Sequence, residues 1–169
     1  MDNQQLFPTS EDLAYAAGLI DADGSVGFYR NNKANGLYFG TVLSFYNNDE
    51  PAVDWMREVW RSTGVEPHKA VTTRGGKVKT QYSITIRKLA HLQKLLPVLI
   101  PYMRLKRSRA ENVLEFVNER VGRKDSYSAR QLDLVAAVFI ANGDYRNNSE
   151  TVHEAASRLK RQSTPTAKA

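Results

Sequence analysis

Residues 16–25 read AAGLIDADGS, a run that starts as a helix and has to end as something else. Upstream, Thr9 or Ser10 can cap that helix, and Glu11 and Asp12 fall in its first turn, where the helix dipole favours acids. The helix is expected to reach about Asp21, with Gly24 as its stop signal. Asp21 and Asp23 then stand at the pole that disfavours carboxylates. An acid among small apolar residues is costly to bury unless something binds it. At helical spacing Ala14, Ala17, Gly18 and Asp21 form one stripe, and Tyr15, Leu19 and Ala16 form another. The second stripe is expected in the core. The first is small enough for a second backbone to approach, and a cation at its acidic end would reverse the dipole penalty.

Beyond Gly24 the pattern changes to strand. Over 25–32, Val26 and Phe28 alternate with Gly27, Tyr29 and Asn31. Asn31, Asn32, Asn35 and Gly36 make a turn, and over 37–46 Phe39, Thr41, Leu43 and Phe45 oppose Tyr38, Gly40, Val42, Ser44 and Tyr46. Asp49, Glu50 and Pro51 open a helix with Val53, Met56, Val59 and Trp60 on one side, closed at Gly64. A second hairpin is predicted over 68–74 and 78–87, turning at Gly75-Gly76, with Tyr82, Ile84 and Ile86 on one face and Lys79, Gln81, Ser83, Thr85 and Arg87 on the other. Helices are predicted over 89–99, 106–121, 129–141 and 149–160. This order predicts an α+β fold. One four-stranded antiparallel sheet has an apolar face (Val26, Phe28, Leu43, Phe45, Ile84, Ile86) covered by helices and a polar, basic face left open. The length fits one domain over 1–162, with a disordered tail at 163–169.

Charge narrows the partner. The net charge is +6, and no Asp or Glu occurs between Glu66 and Glu111 or from 25 to 48. The first of these spans carries eleven Lys and Arg residues, which points to nucleic acid. The absence of cysteine excludes disulfides and cysteine-based zinc sites, and His68, His91 and His153 lack metal-ligand spacing. No run is long enough to cross a membrane, and the first residues lack a signal pattern, so an intracellular protein is expected. RGGK (74–77) lacks the spacing of a phosphate-binding loop.

AAGLIDADG resembles the LAGLIDADG motif of a family of homing endonucleases, differing only at Ala16. The likeness spans roughly 11–141 and extends to 43–55, 101–112 and 132–144. Family members with one motif copy act as homodimers, their motif helices packed along small faces. The resemblance therefore implies a dimer interface at Ala14, Ala17, Gly18 and Asp21. It implies Asp23 as the catalytic metal-binding acid, with the Ala22 carbonyl as a second ligand, and Mg²⁺ or Mn²⁺ as cofactor. Asp49 aligns with a polar residue near the attacking water and equally fits a helix N-cap, and the two roles are compatible. Lys106 matches a basic residue near the scissile phosphate, or makes an ordinary phosphate contact.

The implied activity is a staggered double-strand break with short 3′ overhangs in a long, roughly palindromic DNA target of about 20 base pairs. Candidate DNA contacts are Tyr29, Asn31, Lys33, Ser44, Tyr46, Thr72, Arg74, Lys77, Lys79, Gln81 and Ser83 on the sheet, with Arg104, Arg107 and Arg109 beside Lys106. Two rivals share the fold: an intron-encoded maturase that binds its intron RNA, and a DNA-binding regulator without catalysis. Intact Asp23 and Lys106 favour cleavage.

Overall fold

The computed structural model describes residues 7–33, 36–73, 79–123 and 126–142, and the side chains of these except 32, 33, 36 and 37. The elements run α1 (Ser10–Asp23), β1 (Gly24–Lys33), β2 (Gly36–Asn47), α2 (Glu50–Ser62), β3 (His68–Thr72), β4 (Gln81–Ile86), α3 (Leu89–Leu99), a 3₁₀ turn (Ile100–Tyr102), α4 (Arg107–Arg120) and α5 (Ala129–Ala141). The second hairpin is shorter than its pattern predicts. Its turn, the predicted 149–160 helix and the tail lie outside the described residues.

Thr9 settles the N-cap of α1: its hydroxyl accepts from the Asp12 N–H, and Asp12 returns the bond to the Thr9 backbone. The helix runs two residues past the expected Asp21 and passes directly into β1. Gly24 is required there by closeness rather than by a left-handed backbone. Its φ is −88°, and a Cβ would stand 2.7 Å from the Ile20 Cα. The stop after α2 is of the other kind: Gly64 has φ +79° and donates to the Arg61 carbonyl.

The four strands are antiparallel in the order β1-β2-β4-β3. The register pairs Val26 with Leu43 and Leu43 with Ile86, which stacks the apolar alternation of three strands on one face. Those residues, with Phe28, Phe45 and Ile84, are buried. Helices cover them: Val53, Met56 and Trp60 from α2, Leu92, Leu95, Leu96 and Leu99 from α3, and Val113, Phe116 and Val117 from α4. Phe28 meets Phe116 edge-on at 4.8 Å between ring centres. The opposite face leaves Asn31, Tyr46, Thr72 and Gln81 exposed.

Within α1 the buried side is Ala16, Ala17, Ile20 and Asp21. This corrects two sequence expectations. Ala17 and Asp21 belong to the interior rather than to the small outer stripe. Tyr15 is not core but 61% exposed, with its ring edge-on to Trp55 at 5.1 Å. The outer face of the helix is Ala14, Tyr15, Gly18 and Ala22, and a Cβ on Gly18 would meet nothing within 4 Å.

Candidate active site

The ends of two helices meet at the exit of α1. Asp21 turns inward, and its carboxylate accepts the backbone N–H groups of Arg104 (2.6 Å), Leu105 (3.0 Å) and Lys106 (2.9 Å). Lys106 is the N-cap residue of α4, so Asp21 stands at the positive pole of a different helix. Lys106 reciprocates. Its ammonium donates to the carbonyls of Ile20 (2.8 Å) and Asp21 (2.6 Å), and at 3.4 Å to that of Ala22, neutralising the negative pole of α1. Burial pushes the Asp21 carboxyl up, but the N–H groups of Arg104, Lys106 and Leu105 and the Lys106 charge outweigh it, and the group is held below the usual carboxylate range. Burial pulls the Lys106 ammonium below its ordinary value, with Asp21 opposing, Arg109 adding to the fall and Asp23 opposing.

This double cap explains the acid at the wrong pole and leaves the second acid free. Asp23 is the last residue of α1 and is exposed; among the described residues its carboxylate has no hydrogen-bond partner. The pairing of Gly24 with Phe45 puts the start of β1 and the end of β2 at the same end of the sheet. Asp49, two residues past β2, therefore lies at the end where Asp23 emerges. Asp49 occupies the N-cap position of α2, yet its side chain makes no capping bond. Its backbone N–H donates to Asn47 Oδ1 at 2.9 Å instead. Its carboxylate is exposed.

The donors at the exit of α1 are hard oxygens, the Asp23 carboxylate and the Ala22 carbonyl, which suit a magnesium-like ion better than zinc. Among the described residues no group of three or more His, Cys, Asp or Glu gathers to hold a metal.

On the open face the predicted contacts sort unequally. Asn31, Tyr46, Thr72, Lys79 and Gln81 are exposed, while Tyr29 and Ser83 are half-buried. Ser44 is on the expected face but fully buried, and the Tyr46 hydroxyl donates to its Oγ at 3.0 Å. Arg74, Lys77 and the side chain of Lys33 lie outside the described residues. Arg104 is exposed. Arg107 is exposed and paired with Glu111, and Arg109 is half-buried and donates to Asn142 Oδ1 at 2.8 Å. Arg87 is not among the predicted contacts, although alternation places it on the same face as Ser83 and Thr85. It is exposed, and its guanidinium lies over the Tyr29 ring, 5.2 Å from the centroid.

Comparison of the sequence with protein-family models and with curated proteins returns no match. The fold is nonetheless shared with solved structures. The homing endonuclease I-CvuI in complex with its target aligns with TM-score 0.63 and 18% identity over 89% of this chain and 95% of that one. The archaeal intron-encoded homing endonuclease I-Vdi141I, complexed with DNA, aligns with TM-score 0.67 and 16% identity over 88% and 96%. The LAGLIDADG meganuclease I-CpaMI, bound to uncleaved DNA, aligns with TM-score 0.62 and 13% identity over 88% of this chain but 51% of that one. The chain has the fold of these endonucleases.

Proposed function

We propose that this chain, having the LAGLIDADG homing-endonuclease fold, is a site-specific, divalent-metal-dependent DNA endonuclease that acts as a homodimer. The observation that carries the reading is Asp23. Among the described residues it is a carboxylate with no hydrogen-bond partner, held at the end of a helix by the double cap, beside a sheet face that leaves Tyr46, Thr72, Gln81 and Arg87 exposed. Two-stranded ribbons fit the major groove, and the acid-free spans supply the cations that a phosphate backbone attracts. That the chain matches nearly all of I-CvuI but about half of I-CpaMI supports a unit that is doubled in action.

In this reading the partner's copy of α1 packs on Ala14, Gly18 and Ala22, with Tyr15 and the 77% exposed Leu105 as apolar neighbours. Ala17 and Asp21 are left out of the interface, since both are buried within the chain. Two Asp23 carboxylates would then face one another, and with the Ala22 carbonyls they would hold Mg²⁺ or Mn²⁺. Such ions lower the pKa of a bound water and offset charge on the attacking and leaving oxygens. The chain's own groups do the positioning. Asp21 and Lys106 set the end of α1 and so aim Asp23. For Lys106 to reach a scissile phosphate, its ammonium has to leave the α1 carbonyls, of which Ala22 is held at the longest distance, 3.4 Å. Asp49, free of capping, can accept a hydrogen bond from the attacking water. An intracellular, intron-encoded protein is consistent with this role.

The test is cleavage. Full-length protein, incubated with duplex DNA carrying the uninterrupted sequence that flanks its gene, is expected to make a staggered double-strand break with Mg²⁺ and none with EDTA. No break, together with tight binding of the intron transcript, would put the maturase in its place.

The dimer has its own test in Gly18→Leu. Because a Cβ there meets nothing within the chain, the monomer should fold and gain about 1 kcal/mol from better helix propensity. Sedimentation is expected to show a dimer for the natural chain and a monomer for the variant. A natural chain that sediments as a monomer at assay concentration contradicts the homodimer.

A further inference from the structure

Gly40 is a bare position on the open face of β2, paired across the ladder with Tyr29 of β1. The Tyr29 ring lies directly over it: a Cβ on Gly40 would collide with Tyr29 Cζ, Cε1 and Oη. Crossing β2 in this way brings the ring to the strand edge beyond, where the guanidinium carbon of Arg87, the residue after β4, lies over it, 5.2 Å from the centroid. Three adjacent strands therefore contribute one residue each to a single device: a gap, a plate and a cation. A cation–π contact of this kind uses none of the five N–H donors of the guanidinium as a hydrogen bond to a carboxylate. Among the described residues Arg87 pairs with no carboxylate, whereas Arg57, Arg61, Arg107 and Arg130 each do. The adjoining concavity is bordered by Tyr46, His68, Ser83, Thr85 and Lys88, and its acid, Glu66, is already bonded to Arg57 and Arg61. The register places Arg87 next to Val42, opposite Gly27, three residues along β1 from Gly24. At about 3.3 Å per residue along the strands and about 4.8 Å for each of the two strand steps across, this is roughly 14 Å from the exit of α1.

We propose that Arg87 is a specificity-determining residue, reading the N7 and O6 atoms of a guanine close to the cleavage centre, and that Tyr29 is the positioning residue that holds it, lying across Gly40. The proposal rests on the endonuclease reading. Tyr29, its ring covered by Arg87, passes from base contact to support. A planar guanidinium fork that pairs with no carboxylate among the described residues is, on a groove-facing surface, the side chain best matched to guanine in the major groove. The contact with the Tyr29 ring reduces the rotamer freedom left to lose on binding.

The experiment is selection of cleaved duplexes from a randomised pool, with the natural full-length chain, Arg87→Ala, Arg87→Lys, Tyr29→Ala and Tyr29→Phe. The natural chain is expected to require guanine at one symmetric pair of positions near the centre of the site. Arg87→Ala should lose that preference by about tenfold or more and keep the others. Arg87→Lys should not restore it, Tyr29→Ala should weaken it at the same positions, and Tyr29→Phe should preserve it. If the natural chain selects no site, the endonuclease reading fails. If it selects a site and Arg87→Ala returns the same profile, this inference alone fails. Uniform weakening across all sequences with a shallower salt dependence would make Arg87 a phosphate contact and also overturn it. Thermal melting of Arg87→Ala is expected to stay within a few degrees of the natural chain, since the side chain is exposed and its contact, with the Tyr29 ring, is a weak surface one.

Discussion

Asp23→Asn is expected to reduce Mg²⁺-dependent cleavage by about 10³-fold or more, a loss of roughly 4 kcal/mol of transition-state stabilisation, while target binding persists. Asparagine keeps the shape of the side chain and removes the charge that a hard cation requires. The carboxylate makes no hydrogen bond within the chain among the described residues, and it is exposed. The fold therefore loses nothing, and thermal stability should stay within about 0.5 kcal/mol. Single-turnover cleavage with a gel-shift control separates the two readouts. Cleavage at the natural rate would remove Asp23 from the chemistry. Loss of binding and of cleavage together would make it a structural residue.

Asp21→Asn, two residues away, should fail in the opposite manner. Its carboxylate accepts three backbone N–H groups and lies against the Lys106 charge. An amide brings a donor of its own to a place that supplies only donors, at a cost of about 2–4 kcal/mol. For a chain of this size that corresponds to a fall in Tm of about 5–15 °C. The dependence on pH follows from the direction of the shift. Unfolded, the group titrates near the ordinary value of about 3.9. Folded, it titrates lower, so its contribution is full above the unfolded value and is lost as the pH falls through the folded one. Melting curves of the natural chain and the variant should be far apart at neutral pH and converge in acid below about pH 4. Equal Tm values at pH 7 would show that the double cap contributes nothing. On these expectations the two aspartates of one short motif divide the labour, Asp21 for stability and Asp23 for the proposed reaction.

Much of the fold is legible because strand alternation is strict here. Val26, Phe28, Leu43, Phe45, Ile84 and Ile86 all belong to the inner face by pattern, and all are buried. The bounds of α3 and α5 agree with their patterns to the residue, since Leu and Val recur there at helical spacing and Ser128 caps α5 with Gln131 in reply. Helix α1 is less legible for a physical reason. Ala14, Ala16, Ala17, Gly18 and Ala22 carry almost no hydrophobic contrast, so the pattern fixes no rotational phase, and it puts Ala17 and Tyr15 on the wrong sides. The partners of Asp21 cannot be read locally because they lie more than eighty residues away. Alternation gives Ser44 its correct face, but a face does not reveal that it is fully buried and bonded by Tyr46, two residues along. The relation of Tyr29, Gly40 and Arg87 needs the register of three strands, which no local pattern contains.

The bonds between residues 20–22 and 104–106 also determine where the chain can be recombined. A chimaera that takes its first helix from one parent and its fourth from another would join an acid chosen for one loop to a loop chosen for another acid. Crossovers should therefore carry Asp21 and Lys106 together as a linked pair, whatever lies between them. The intervening hairpins, which present the open strand face, are the segment that can be exchanged.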